Sequence, residues 1–181
     1  MAHYKNHSIE VQDAADGAAT IIGSLIDAAA PIEQDIQAET TAGTFYPEHV
    51  QTVSQKPSFR YSTYDLPKVI DKFGVTGVDI TKDTGKVGVA LYQALYNNAT
   101  VSAGSTHRRL VFSESYNYIS RISVSHRQDA RAECMSLAVY DGTNNPVVIG
   151  TSVALPTLPT SPGRWTIGSI TVDDIPILCN I

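Results

Sequence analysis

The sequence predicts a mainly β protein, an antiparallel β-sandwich or barrel-like domain with one short α-helix. Two observations predict the sheets. From Arg109 to Ile149, short β-branched and aromatic runs follow one another: Leu110–Phe112, Ile119–Val124, Met135–Tyr140 and Val147–Ile149. Between the last two lies Asp141-Gly142-Thr143-Asn144-Asn145-Pro146, made of the residues that tolerate tight turns. A third observation predicts the helix. Leu66, Val69, Ile70 and Phe73 recur at i, i+3, i+4 and i+7, giving one apolar stripe from Asp65 to Phe73.

Taken in order, Ser8–Val11 reads as a first short strand. The Ala-rich segment 13–30 supports either a helix capped by Asp13 and stopped by Pro31, or buried strand around Ile21-Ile22 and Leu25-Ile26. Gly17 and Gly23 each cost a helix interior about 1 kcal/mol. Ile32–Glu39 alternates less cleanly, and Thr40–Gly43 reads as a turn. Between Pro47 and Pro57 the polar stretch 48–56 fits a long strand or an extended loop, with loop the expectation.

Phe59, Tyr61 and Thr63 alternate with Ser58, Arg60 and Ser62, a half-buried strand pattern. In the helix that follows, Asp65 is placed to cap, Pro67 fits the first turn, and Gly74 supplies the stop. Val78–Ile80 precedes a Lys82–Gly85 turn. Val87, Val89 and Leu91 then alternate into Tyr92–Tyr96, and Asn97–Thr100 breaks the run. Ile119 and Ile122 fall on opposite faces of a flat strand, which predicts a bulge near Arg121. A change of parity across Gly168, from Trp165 and Ile167 to Ile170 and Val172, predicts a bend. Ile175–Ile181 is apolar to the last residue. It is expected to be buried by strand pairing, the alternative being that the chain continues in a longer product.

At 181 residues the chain can bury one good core. Residues 1–57 read as acidic strands with an extended assembly segment, and 58–181 as the sandwich core, the two forming one compact domain. The formal charge of −5 is unevenly placed. Through residue 50 eight acids stand against Lys5 alone, a net −7, whereas the remainder has 12 basic and 10 acidic residues. An acidic face of one copy can therefore meet a mildly basic face of the next. Only 17% of residues are charged, a composition that suits surfaces covered by neighbours.

Cys134 and Cys179 lack the spacing of zinc or redox sites, so Cys134 is read as a small core residue and the pair as unbridged. Met1–Val11 lacks the apolar core of a secretory signal. No apolar run approaches the ~20 residues of a membrane span, and no membrane association is expected.

No constellation for chemistry emerges. His3 and His7 have a spacing that binds metal on a helix, but their segment has no helical pattern, so a surface role is the reading. Ser105-Thr106-His107 and Ser125-His126, the latter near Asp129, place hydroxyls beside imidazoles without a nucleophile elbow. Gly85–Gly88 lacks the phosphate-loop pattern, and Asp79 with Asp83 lacks a calcium-loop glutamate. No catalytic, metal-binding or cofactor-binding residue is assigned, and the chain is read as not an enzyme.

His107, Arg108, Arg109, Arg121, Arg127 and Arg131 form the main basic concentration. It is read first as interface or surface pairing and second as phosphate contact. Nine tyrosines against four phenylalanines suit half-wet sheet faces and interfaces. A sugar-binding platform at Tyr92, Tyr96 or Trp165 is the alternative.

Three segments carry a resemblance: Gly104–Leu110, Ala138–Val148 and Trp165–Val172. With the order of elements, they resemble the β-sandwich tail-tube, or major tail, proteins of tailed bacteriophages. The resemblance covers the second half of the chain. It implies a virion structural subunit, assembled in the host cytoplasm into rings, commonly hexameric, that stack around a channel for DNA. Other virion proteins are the implied partners, and acidic residues in the channel would let DNA pass without sticking. A capsid-stabilising or connector protein, a sugar- or receptor-binding module, and a small hydrolase using His107 or His126 are the alternatives. The N-terminal region and Pro47–Pro57 are the candidate contact segments.

Overall fold

A computed structural model describes residues 2–12, 19–39, 49–74, 77–79, 88–125, 128–140, 142–143, 145–160, 170–172 and 175–177. The elements in chain order are β1 (Ala2–Gln12), β2 (Ala19–Ile22), β3 (Leu25–Ala29), β4 (Ile32–Glu39), β5 (His49–Thr63), α1 (Leu66–Phe73), β6 (Val78–Asp79) and β7 (Val89–Asn97). They continue with β8 (Thr100–Val101), β9 (His107–Phe112), β10 (Ser115–Ser123), β11 (Arg131–Ala138), β12 (Val147–Val153), β13 (Ile170–Val172) and β14 (Ile175–Ile177).

The described residues are mainly β, with two large antiparallel sheets, a separate β13–β14 pair and one short helix, as the sequence predicts. The first sheet runs β12-β9-β7-β1-β2, with β8 on β7. The second runs β3-β5-β11-β10-β6. Between them lie Ile9, Val11, Ile22, Val89, Leu91 and Phe112 of the first sheet and Phe59, Tyr61, Ala132 and Cys134 of the second. Phe59 stacks on Tyr61 at 5.4 Å and on Phe112 at 5.8 Å between ring centres, tying the sheets together. Each fully buried aliphatic or aromatic side chain contributes about 1.5–3 kcal/mol.

The helix α1 closes the core with Leu66, Val69 and Phe73, three members of the predicted stripe. Gly74 ends it at φ 58°, its N–H donating to the Ile70 carbonyl at 2.8 Å. The N-terminus differs from expectation: Asp65 makes no side-chain cap. Its buried carboxylate lies 3.5 Å from Lys68 instead, and Lys68 also donates to the Ile21 carbonyl at 3.1 Å.

Other elements match, resolve or correct the expectations. The first strand is eleven residues, because β7 pairs with it along Ala2–Val11. The described part of segment 13–30 is strand: β2 adds to β1, Gly23 and Ser24 cross between sheets, and β3 adds to β5. Thr63 Oγ1 pins that crossing by donating to the Gly23 carbonyl at 2.7 Å. The stretch expected as loop, 48–56, forms most of the first half of β5, from His49 onward. The last apolar run places β14 against β13 as a hairpin. The bulge near Arg121 is present, between Ile119 and Arg121. The Thr40–Gly43 and Lys82–Gly85 turns, the Gly168 bend and Cys179 lie outside the described residues. Among the described residues no helix is long and apolar enough to cross a membrane.

Candidate assembly surface

One strand does two jobs. From Ser58 to Thr63, β5 lies inside the second sheet between β3 and β11; from His49 to Pro57 it pairs instead with β4. The result is a two-stranded ribbon, about 27 Å long for eight residues at ~3.4 Å each. Its root is fixed where the Ser58 N–H donates to the Pro31 carbonyl at 3.0 Å.

Strand alternation sorts the ribbon into two faces. Glu33, Asp35, Gln37 and Glu39 occupy one, where Gln51 reaches Gln37 at 3.4 Å. Gln34, Ile36 and Ala38 occupy the other, with Gln55 facing Gln34 and Val50 facing Ala38 across the strands, so that face is polar towards the root and aliphatic beyond it. Ile36 is 55% exposed and Val50 57%. An isolated two-stranded hairpin is marginal in water, so a ribbon with bare aliphatic side chains is built to be covered.

A second feature lies at the β12–β9 edge of the first sheet. In β9, Arg108, Leu110 and Phe112 share a face, and Phe112 is core. Leu110 is paired with Leu91 on one side and Ile149 on the other, and Phe112 with Val147. The core face therefore continues into an open groove of about 300 Å³ lined by Leu110, Val147, Ile149, Gln93 and Ala30, with Arg108 and Arg109 at its rim. Ile149 is 68% exposed there. Arg108 lies over the Tyr4 ring at 4.0 Å.

The predicted basic residues divide between the sheets. Arg109 reaches across the outer face of the first sheet to Glu10 at 3.7 Å. Arg121 and Arg131 come together on β10 and β11, as expected for neighbouring strands, and line an open polar hollow with Ser123, Asp129 and Glu133. Arg131 is held by Ser62 at 2.9 Å and Glu133 at 3.5 Å, so this hollow is internally charge-paired. Arg127 and His126 lie outside the described residues.

The other histidines are structural neighbours. His3 stacks on Tyr96, with ring centres 5.7 Å apart. His7 contacts Ser8, and burial, followed by the charge of nearby His107, lowers its pKa. His107 is buried, with Nδ1 accepting the Leu95 N–H at 3.0 Å. Among the described residues no cluster of three or more His, Cys, Asp or Glu side chains is arranged to hold a metal.

Sequence reasoning marked the Pro47–Pro57 half of the ribbon but missed β4 as its partner, and it missed the groove. The available signal for the groove was Val147–Val153, a strand without a single charge and with apolar residues on both parities. Neither a protein-family model nor a curated protein sequence matches this chain.

Proposed function

We propose that this protein is a non-enzymatic structural subunit that assembles with copies of itself, as a virion component of the tail-tube type. The observation that carries the reading is the ribbon: a stiff two-stranded extension with exposed Ile36 and Val50 and an acidic opposite face. Among the described strands β4 pairs with β5 alone, and such an element suits contact with a neighbour. The resemblance of Gly104–Leu110, Ala138–Val148 and Trp165–Val172 to tail-tube proteins supports the virion assignment over a capsid-stabilising or connector role. Stacked rings of such subunits would enclose a lumen through which DNA passes without sequence-specific contact.

Mass measurement with negative-stain imaging over rising protein concentration tests the reading. Rings or stacked tubes are the expected result. A monomer at every concentration, particularly one that binds glycans, would replace this reading with a sugar- or receptor-binding module.

A further inference from the structure

We propose that the β4–β5 ribbon of one copy seats the aliphatic Ile36–Ala38–Val50 part of one face in the Leu110–Val147–Ile149 groove of a second copy. This rests on the self-assembly reading and deepens it by naming both halves of the contact.

The two surfaces match in chemistry. The ribbon offers Ile36, Ala38 and Val50; the groove offers Leu110, Val147 and a mostly bare Ile149. They also match in charge. The ribbon carries Glu33, Asp35 and Glu39 against Lys56, while the groove carries Arg108 on its own face, Arg109 being paired with Glu10 on the other. A ribbon is one peptide layer thick, and two-stranded ribbons twist strongly. Its carboxylates therefore stay within about a Debye length, ~8 Å at physiological salt, of the Arg108 guanidinium.

The occupant is a second copy because a chain's own ribbon leads away from its own groove. Ala30, at the ribbon root, forms part of the groove wall. From there the ribbon continues the line of β5, held by the Ser58–Pro31 hydrogen bond. Ile36 lies six residues further on, about 20 Å at ~3.4 Å per residue. Each copy thus has one ribbon to give and one groove to fill. Such a head-to-tail contact generates a ring when its rotation closes.

The experiment uses the full chain and two variants at exposed positions. Ile36→Asp/Val50→Asp spoils the ribbon and leaves the groove; Ile149→Asp spoils the groove and leaves the ribbon. Thermal melts near that of the parent chain show that both variants fold. Alone, each is expected to lose ring assembly, with the dissociation constant raised about tenfold or more, since a carboxylate would be buried without a partner. Mixed in equal amounts, the variants retain one sound ribbon and one sound groove between them, so a heterodimer is expected by mass. A parent chain that stays monomeric would overturn the self-assembly reading itself. A parent chain that assembles, with variants that assemble equally well or a mixture that forms no heterodimer, would overturn the ribbon-to-groove contact alone.

Discussion

The Tyr92 hydroxyl of β7 donates to Glu10 of β1 at 2.8 Å, on the outer face of the first sheet. Arg109 of β9 joins them at 3.7 Å from the carboxylate, so three adjacent strands are cross-linked at one level. Burial raises the Tyr92 phenol from 10.0 to about 12, helped by the hydrogen bond and charge of Glu10 and opposed by Arg109. Because the folded value exceeds the unfolded one, this phenol's stabilising contribution is complete below pH 10 and is lost as pH rises through 12.

Glu10→Gln removes the carboxylate charge but keeps burial and Arg109. The expected outcome is one tyrosine ionising at lower pH than in the parent chain, read by ultraviolet absorbance. Tyr92→Phe should abolish that step. An unchanged titration curve in Glu10→Gln would show that burial alone holds the phenol.

Cys134 and Tyr61 are direct cross-strand partners in the core. Burial pushes the Cys134 thiol from 9.0 up to about 12, with the adjacent Tyr61 hydroxyl opposing. Burial, with Cys134 adding to it, pushes the Tyr61 hydroxyl well above 10. Both folded values are raised, so stability should fall as pH climbs from 9 through 12. For Cys134 the loss is on the order of 3–4 kcal/mol by the top of that range. In a Cys179→Ser background, Cys134→Ala should flatten the decline between pH 9 and 10, measured by urea unfolding. A thiol reagent at neutral pH should label Cys134 only on unfolding.

How much of this was readable beforehand depends on whether a residue's partner lies near it in sequence. The helix was legible because Leu66, Val69 and Phe73 repeat within one element, and its stop because Gly74 needs no distant partner. The bulge at Arg121 was legible because Ile119 and Ile122 change parity within one strand. By contrast, Ala28 and Ala29 are neutral in themselves; they are strand because Tyr61 and Arg60 lie beside them. The ribbon was hidden for the same reason. Its polar half of β5 carries too few apolar residues in sequence to betray a period, and pairing with β4 makes it strand. The groove was hidden more deeply, since nothing in Val147–Val153 itself tells that Ile149 is left exposed on an edge strand.

Asp65 shows the same limit in a single side chain, and it gives a stability prediction. Its carboxylate is buried and lacks a hydrogen bond, so Lys68 is its compensating charge at 3.5 Å. Lys68→Met should cost about 2 kcal/mol in urea unfolding, less than the 3–5 typical of a broken buried pair because Lys68 is partly solvated. Adding Asp65→Asn should recover part of that loss. A double variant no more stable than Lys68→Met would mean that Lys68 acts through the Ile21 carbonyl rather than through charge.

Two glycines separate conformational from steric demand. Gly74 sits at φ 58° with open space around a would-be Cβ, so Gly74→Ala should cost about 1 kcal/mol of backbone strain. At Gly88 a Cβ would lie 2.7 Å from the Phe112 carbonyl oxygen and 2.8 Å from Ser115 Oγ. The serine can rotate, but the carbonyl belongs to a core residue, and Gly88 is hydrogen-bonded to the Ser113 carbonyl at 3.1 Å. Gly88→Ala must therefore push the β9–β10 turn away from β7 and loosen Phe112 from Phe59. The expected cost is about 2–3 kcal/mol, in the range of an overpacked core. Urea unfolding of the two variants side by side should rank Gly88→Ala as the more destabilised; the reverse order would mean that β7 enters the sheet with room to spare.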